Sequence, residues 1–509
     1  MWKYTLSLLT ILLWSSLSLF AQLDKKTLSR IDQAVSNAFE TFEPTGLAVA
    51  VVKDGRIVYK KALGKASVEA GTDLQTTSLF NVASCSKAFT AAAMGMLAEE
   101  GKVKWTDKVT DHLPDFRMSD PYITQQIDLT DILSHRSGLG TFVGDLLWYG
   151  TDYTDEEVLD RLKNIPIDNG FRRSYGYSNL MFLTAGEVIE AASGQPWSEF
   201  MEERFFTPLS MTSTRPSSDE LGMDANQNLA FPHIDGKIQP IYDWNAAKAA
   251  ASIYSNVEDM SQWMMMLLNN GKIGEVQMIK PNTLDYIFRM HTPLTVSRTM
   301  RSWGTHFRGY GLGWFMMDYG GKKVLEHDGG MPGYISKVAL IPEENLGVVV
   351  LNNGMHFYVD EAVKLAIFDA VLGKESKDWN AEFKVYEKGY ENYSAEEEKR
   401  RMNRQQANTE PSVALRDFVG SYTEENYGYG TGNIDLEGSN LTIALSPNSD
   451  AFTGTMSHFH HNTFKVQFND AFLPFALITF EQGVDGKING FTIECPISDF
   501  HFDNLHYSR

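Results

Sequence analysis

Apolar residues recur along this chain at two different spacings, and each spacing predicts its own kind of element. Between Leu28 and Phe39 they return every three or four positions, which predicts an amphipathic helix. Two apolar runs, residues 46–52 and 57–63, are joined by an Asp-Gly pair, which predicts a β-hairpin. We therefore expect a helix and two paired strands near the start of the folded chain.

The central part of the chain mixes helical and strand-like patterns. The segment from Ser84 is rich in Ala, Met and Leu and stops at Gly101, which predicts a buried helix. Another apolar helix is predicted over residues 180–192, and the runs 335–341 and 347–351 predict paired central strands. Helices and strands thus belong to one folded unit, which we expect to span residues 22–374.

The composition changes in the last quarter of the chain. Residues 375–411 are dominated by Lys, Glu, Arg, Asn and Gln with little apolar periodicity, which predicts a charged linker. Beyond it, short alternating runs separated by Gly, Asn or Asp turns replace the helical pattern. Residues 412–509 are therefore expected to form a small all-β domain, a barrel or a sandwich.

The N-terminal segment has the pattern of an export signal. Lys3 precedes an apolar run over residues 4–20, and the small residue Ala21 follows it. We expect cleavage near Ala21, no stable membrane span afterwards, and a periplasmic or secreted location. An uncleaved anchor is the alternative, because Leu19 is larger than the residue preferred at the third position before a cut.

Composition and charge exclude several classes of function. The 509 residues are 43% hydrophobic, which is too apolar for a disordered chain, and their net charge of −20 argues against a nucleic-acid partner. Cys85 and Cys495 are the two cysteines, too few for a disulfide framework or a thiolate metal site. We therefore expect no cofactor and no metal.

The first chemical signal is the pair Ser84 and Lys87. Residues three apart on a helix are neighbours, and flanking Ala and Met side chains would desolvate the lysine, lower its pKa and make it a base. Ser84 lies at the predicted helix N-terminus, where its N–H is free to bind a developing oxyanion. The structural alternative is a helix-capping serine and a surface lysine. Cys85 is no rival nucleophile, because its side chain points about 100° around the helix.

The second signal is Tyr177-Ser178-Asn179, which stands on a loop before the apolar helix. A tyrosine there can share protons with a lysine and a serine, since a nearby cation favours the phenolate. The asparagine amide can hold both the lysine and a substrate carbonyl. The structural alternative is a loop tyrosine that only packs its ring.

The third signal is a glycine-rich segment, His327-Asp328-Gly329-Gly330, that leads into the central strands. Glycines allow a substrate to lie close to the strand edge, and the N–H of Gly330 could be a second oxyanion donor. A single histidine in such a turn is otherwise more often structural.

Together these residues resemble the serine β-lactamase and penicillin-binding-protein-like hydrolases, in the branch of class C β-lactamases, esterases and D-aminopeptidases. The resemblance covers roughly residues 30–360, with supporting stretches at 133–139 and 206–211. It implies an α/β (α+β) fold, an antiparallel sheet flanked by helices with an inserted helical subdomain. The C-terminal all-β region resembles the lipocalin-like barrels appended to some members.

The resemblance also implies roles for the motif residues. Ser84 would be the acylated nucleophile, Lys87 and Tyr177 its proton-handling partners, and the N–H groups of Ser84 and Gly330 the oxyanion hole. The substrate-binding residues it implies are Asn179, His327, Gly329 and Gly330.

His327 is the departure from the family that bears on the substrate. The third motif of β-lactamases usually begins with Lys, a permanent cation, whereas a histidine gains its proton only below about pH 6.5. Carboxylate recognition is then weakened, unless Arg172 or Arg173 supplies it. We expect an ester, amide or peptide substrate rather than a β-lactam. An acyltransferase using the same acyl-serine and a non-catalytic binding relative are the alternatives.

Overall fold

The computed structural model describes residues 23–221, 228–242, 244–375 and 377–509. The predicted signal, residues 1–21, lies outside this described part. Within it, no helix is both long enough and apolar enough to cross a membrane.

Before the C-terminal region, the strands fall into one large sheet and three small pairs. In chain order they are β1 (Gly46–Lys53), β2 (Arg56–Ser67), β3 (Thr72–Asp73), β4 (Phe80–Asn81), β5 (His233–Ile234), β6 (Lys237–Ile238), β7 (Tyr254–Ser255), β8 (Lys272–Ile273), β9 (Val276–Gln277), β10 (Thr292–Leu294), β11 (Arg308–Tyr310), β12 (Phe315–Tyr319), β13 (Lys322–Met331), β14 (Tyr334–Ile341) and β15 (Leu346–Asn352).

The large sheet is antiparallel and contains strands from both the beginning and the end of this region. Its strand order is β10-β11-β12-β13-β14-β15-β1-β2-β3. The hairpin β1–β2 therefore lies beside the last strand, with Val49 opposite Val350. β14 and β15 are buried along their whole length, because helices cover both faces of the sheet. The expected antiparallel sheet flanked by helices is confirmed.

The helices divide between the two faces of this sheet and a region inserted between β3 and β10. In chain order they are α1 (Lys25–Phe42), α2 (Ser86–Glu99), α3 (Val109–His112), α4 (Pro121–Gln126), α5 (Leu129–Leu133), α6 (Asp155–Arg161), α7 (Asn179–Ser193), α8 (Trp197–Met201), α9 (Lys248–Ala251), α10 (Val257–Leu268), α11 (Pro281–Ile287), α12 (Arg298–Ser302), α13 (Val359–Val371) and α14 (Trp379–Met402). α1 and α13 pack together on one face, and α10 packs on the other against β1 and β15.

The segment predicted as a charged linker is mostly the helix α14. Asp378 caps its N-terminus by accepting a hydrogen bond from the N–H of Ala381 at 2.9 Å. Trp379 and Phe383 are buried, and the indole N–H of Trp379 donates to Asp369 of α13 at 2.7 Å. The later turns are mostly exposed, so the sequence shows no apolar stripe. The helix forms because its first turns have a tertiary partner.

The C-terminal region is a closed eight-stranded antiparallel barrel. Its strands are β16 (Gly420–Glu424), β17 (Gly430–Glu437), β18 (Asn440–Ser446), β19 (Thr453–His460), β20 (Thr463–Val466), β21 (Ala476–Gln482), β22 (Ile488–Glu494) and β23 (His506–Ser508). The predicted barrel-like all-β region is thereby confirmed. Closure leaves no free sheet edge. Packed aromatic rings fill the interior; the ring centres of Phe418 and Phe480, for example, are 4.9 Å apart.

Buried polar contacts join this barrel to the inserted region. The hydroxyl of Tyr149 donates to Asp470 at 2.7 Å, and the amide of Asn448 donates to the carbonyl of Tyr149 at 2.8 Å. The ring of Phe500 lies 4.3 Å from the ring of Tyr149. Arg401 of α14 donates to the carbonyl of Phe475 at 2.9 Å. The barrel is therefore packed against the rest of the chain.

Candidate active site

Ser84 stands on a short 3-10 turn, Ala83–Cys85, that runs directly into α2. The turn is held by Asn81, whose side-chain oxygen accepts the N–H of Ala83 at 2.6 Å. Ala83 has a φ of 46°, a conformation that costs a residue with a side chain of order 1–3 kcal/mol. The chain thus turns sharply in front of Ser84 and presents its hydroxyl at the start of a buried helix.

Lys87 follows Ser84 by one turn and is fully buried. Its amine contacts three oxygens, Ser84 Oγ at 2.9 Å, Asn179 Oδ1 at 2.7 Å and the carbonyl of Ala250 at 2.9 Å. Burial lowers the pKa of Lys87 to about 7, against the opposing charge of Asp145. A substantial neutral fraction therefore exists at neutral pH. The two carbonyl oxygens can then take the N–H donors of the neutral amine, and its lone pair can accept the proton of Ser84.

Tyr177 lies over this pair on the loop that precedes α7. The amine of Lys87 is 4.9 Å from the centre of the Tyr177 ring. Burial raises the pKa of Tyr177 well above its ordinary value, and a hydrogen bond with Ser84 only partly opposes this. The expected phenolate is therefore not favoured, because desolvation outweighs the hydrogen bond with Ser84 that would stabilise it. Tyr177 can pass a proton on but does not begin as a base.

Asn179 is held in place by Asp145, which the sequence analysis missed. The amide of Asn179 donates to Asp145 Oδ2 at 2.6 Å, which fixes the side-chain oxygen of Asn179 towards Lys87. Burial raises the pKa of Asp145 to about 7. Asp145 follows no motif, and only the folded chain brings it to Asn179.

His135 is a second missed residue, although it lies in the family-like stretch 133–139. The centre of its ring is 4.2 Å from the centre of the Tyr177 ring, and its Nδ1 accepts a hydrogen bond from the N–H of Ser178 at 3.1 Å. Burial lowers the pKa of His135 well below its ordinary value. The imidazole is therefore neutral and serves as a platform under the tyrosine loop.

His327 is buried, and both of its ring nitrogens have partners inside the protein. Nδ1–H donates to the carbonyl of Asp328 at 2.6 Å, so Nε2 accepts the hydroxyl of Tyr310 at 2.9 Å. Burial, with the nearby Lys87 charge, lowers the pKa of His327 to about 4. The expectation that it gains a proton below about pH 6.5 is thus wrong, since desolvation opposes the cation. Tyr310 gave no signal in the sequence.

The two glycines after His327 differ in how closely their surroundings approach. A Cβ atom on Gly329 would lie 2.3 Å from Ser336 Oγ and 2.4 Å from the carbonyl of Val82. β13 therefore presses directly on the segment that leads to Ser84, and a larger residue cannot fit there. At Gly330 the nearest atom is 3.6 Å away, so that position has room for a side chain.

Most of the predicted site residues line one cleft of about 830 Å³. Ser84, Tyr177, Asn179, His327, Gly329 and Gly330 line it. Lys87 lies beneath them, within hydrogen-bond distance of Ser84. Residues of all three motifs therefore lie together at one cleft.

Other parts of the chain complete the walls of this cleft. Phe383 of α14 lines one part of it, and Phe472, Asp499 and Phe500 of the barrel line another. Arg172 is instead paired with Asp131 at 2.7 Å, and neither Arg172 nor Arg173 lines the cleft. The arginines expected to supply a cation are therefore not the ones that reach it.

Two further findings concern other chemistry that the site could use, namely a cysteine nucleophile and a bound metal ion. Burial raises the pKa of Cys85 to about 12, so its thiol is not a competing nucleophile at neutral pH. In the part of the chain that the structure describes, no cluster of three His, Cys, Asp or Glu side chains could hold a metal ion.

Comparison with known proteins gives the family. The Beta-lactamase family model matches residues 32–371, more than half of the chain. The chain belongs to the β-lactamase family. A second model, the Domain of unknown function (DUF3471), matches residues 404–508, which include the barrel.

Named relatives of this β-lactamase-family protein are hydrolases of several kinds. It is 28% identical to the unguisins hydrolase ungD' of Aspergillus campestris over 68% of this chain and 66% of that one. It is 25% identical to an N-acetylmuramyl-L-alanine amidase of Bacillus subtilis (66% and 83%), and also to a putative D-alanyl-D-alanine carboxypeptidase of Escherichia coli (66% and 84%). The names of these relatives describe hydrolase, amidase and carboxypeptidase activities. The chain spans just under two thirds of the fungal relative's length.

A solved structure has the same overall fold. The octameric penicillin-binding protein homologue from Pyrococcus abyssi matches 95% of this chain and 100% of its own, with a TM-score of 0.58 and 17% identity. At that identity the likeness concerns the fold alone.

The pKa of His327 leads to a direct prediction. The imidazole should stay neutral from pH 8 down to about pH 5, with its proton on Nδ1, because burial lowers its pKa to about 4. Nitrogen-15 NMR of histidine-labelled protein measures this, with His327→Gln to assign the signal. A protonation midpoint near pH 6.5 would contradict it.

Proposed function

We propose that this protein is an exported serine hydrolase that cleaves an ester or an amide or peptide bond through an acyl-serine intermediate. The observation that carries the proposal is the contact of 2.9 Å between the amine of Lys87 and the hydroxyl of Ser84. A serine needs an adjacent base to become a nucleophile, and a buried amine with a pKa of about 7 is suited to that task.

The first half of the reaction forms the acyl-enzyme. Neutral Lys87 accepts the proton of Ser84 as Oγ attacks the substrate carbonyl carbon. The resulting oxyanion receives hydrogen bonds from the N–H groups of Ser84 and Gly330. The leaving group then takes a proton, relayed from Lys87 through the hydroxyl of Tyr177, and the carbonyl re-forms as an ester of Ser84.

The second half releases the acyl group. Water attacks the ester carbon and gives its proton to Lys87, directly or through Tyr177. The tetrahedral intermediate collapses, Ser84 Oγ leaves, and it regains a proton. Asn179 keeps Lys87 in place throughout and can donate to a substrate carbonyl. Each step uses residues that line the cleft or lie directly beneath it.

An ester or peptide substrate is favoured over a β-lactam. The imidazole of His327 is neutral, with both nitrogens engaged, so it offers no charge to a carboxylate beside the scissile bond. The relatives named as amidase and carboxypeptidase are consistent with an amide or peptide bond. We therefore propose a substrate of the kind cleaved by esterases or (D-amino)peptidases.

Replacing Ser84 tests the nucleophile. Ser84→Ala should reduce hydrolysis of 4-nitrophenyl esters by several orders of magnitude, since no covalent intermediate can form. Intact-protein mass spectrometry after a panel of esters, D- and L-aminoacyl anilides and a cephalosporin identifies the acyl adduct and the preferred bond. Cys85→Ala is the matched control and should still be labelled. A labelled Ser84→Ala protein, or a cephalosporin as efficient as the best ester, would refute the respective part of the proposal.

Asp145 should set the pH dependence through Lys87. Asp145→Asn keeps an oxygen acceptor for Asn179 but removes a charge that raises the pKa of Lys87. The pKa of the amine then falls, and the acidic limb of the kcat/KM profile should move to lower pH. Asp152→Asn, at an exposed position, is the control and should leave the profile unchanged. An unmoved or raised limb in Asp145→Asn would contradict this role.

Export is proposed from the apolar run over residues 4–20 and the small residue Ala21. Expression in a Gram-negative host should yield mature protein in the periplasm or medium that begins close to Gln22. N-terminal sequencing of that fraction checks the cut. Full-length protein retained in the membrane fraction would instead support an uncleaved anchor.

A further inference from the structure

We propose that Asp360 and the aromatic rings beside it form a subsite for a primary ammonium group in the cleft, and that the substrate is an ester or amide that carries such a group. The inference rests on the proposed function and adds a substrate class to it. Asp360 lies in the first turn of α13 and belongs to none of the three motifs.

Asp360 is a buried carboxyl group whose hydrogen-bonding capacity is not used. It lines the cleft and is 2% exposed. Its Oδ1 has no hydrogen-bond partner among the described residues. Its Oδ2 lies 3.6 Å from the amine of Lys337, which is too long for a hydrogen bond. A buried carboxylate oxygen without a donor is unfavourable, and an N–H group of a ligand would satisfy it.

Negative charge exceeds positive charge around Asp360. Four carboxyl groups and two buried lysines form one cluster of ion pairs: Glu326, Asp328, Asp360, Glu361, Lys337 and Lys364. Lys337 is nearer to Asp328, at 2.7 Å, than to Asp360. Burial raises the pKa of Asp360, and the charge of Lys337 opposes that rise only in part. A cation supplied by the substrate would therefore stabilise the ionised carboxylate.

Three aromatic residues line the cleft together with Asp360, namely Phe357, Tyr358 and Phe383. The ring centres of Tyr358 and Phe383 are 6.3 Å apart, and Phe357 is 54% exposed. The faces of aromatic rings attract a cation, and the same rings offer apolar surface to a methylene chain. A carboxyl group beside aromatic rings therefore suits an ammonium group on an apolar stem.

The position of Phe357 relates this subsite to the reaction centre. A Cβ atom on Gly330 would lie 3.9 Å from the ring of Phe357, and Asp360 follows Phe357 by three residues. The subsite therefore begins beside the proposed oxyanion donor and continues to the first turn of α13. We expect the ammonium group to be several bonds from the scissile carbonyl, farther out than the α-amino group of an aminoacyl substrate.

Matched ester pairs test the proposal in the full chain. 4-Nitrophenyl 6-aminohexanoate against 4-nitrophenyl heptanoate places the ammonium group on the acyl side, and 3-(aminomethyl)phenyl acetate against 3-ethylphenyl acetate places it on the leaving group. In each pair a methyl group replaces the ammonium group. The wild type should prefer the ammonium ester of one pair, and Asp360→Asn should lower that preference, the ratio of the two kcat/KM values, by about 10- to 100-fold.

Three further variants keep the experiment decisive. Asp115→Asn is the matched control, because Asp115 is exposed and does not line the cleft, and it should leave both ratios unchanged. Phe357→Leu, at an exposed position, should lower the same preference about two- to fivefold even if Asp360→Asn does not fold. Asp499→Asn removes the carboxyl group that the barrel contributes to the cleft. A preference that depends on Asp499 and not on Asp360, equal losses on both esters of a pair, or no preference in the wild type would overturn the subsite.

A binding measurement separates this proposal from the hydrolase proposal. Calorimetry with hexylammonium chloride and with hexan-1-ol needs no turnover and can use Ser84→Ala protein. Tighter binding of hexylammonium, lost when Asp360→Asn is added, supports the subsite even if no ester is hydrolysed. Equal binding of the two ligands would overturn it even if the enzyme is an active esterase.

Discussion

The burial of the Lys87 amine is the constraint on which the rest of the site depends. Removing an ammonium from water costs several kcal/mol unless the protein supplies acceptors or the group loses its proton. Here three oxygens surround the amine, and burial lowers its pKa to about 7. The helix that carries Lys87 is apolar on nearly every side, so it must be enclosed. The loop at Gly313 closes on it, where a Cβ atom would lie 2.6 Å from the carbonyl of Lys87.

Enclosing that helix also brings distant parts of the chain to the cleft. The inserted region supplies Asn179 and Asp145, the sheet supplies His327, and α14 and the barrel supply outer walls. Tyr149 joins these parts, since its hydroxyl meets Asp470 of the barrel and its ring contacts Phe500. The barrel is thus a structural component of the cleft, because Phe472, Asp499 and Phe500 form part of its wall.

His327 stands where the third motif of β-lactamases usually has a lysine, and burial of the site gives a physical reason for this difference. A cation at that position would face Lys87 in a buried site, and the two charges would repel each other. A neutral imidazole fixed by Tyr310 and the carbonyl of Asp328 avoids that repulsion and keeps the wall of the cleft rigid.

The sequence by itself determined the features that depend on short spacings. Ser84 and Lys87 meet because a helix brings residues three apart onto one face, and β1 and β2 pair because a two-residue turn returns the chain alongside itself. The barrel strands were visible in the same way, from alternation and turn residues. The residue types of the three motifs were then enough to indicate serine hydrolase chemistry.

Tertiary structure alone decided the contacts between residues far apart in the chain. No spacing connects Asp145 with Asn179 or Tyr310 with His327, and α14 shows no apolar stripe because its fully buried apolar residues lie only in its first turns. The protonation states of Tyr177 and His327 were also decided by the tertiary structure. The sequence suggested a phenolate at Tyr177 and a histidine that titrates near neutrality, but burial opposes charge on both, and burial is a property of the folded chain.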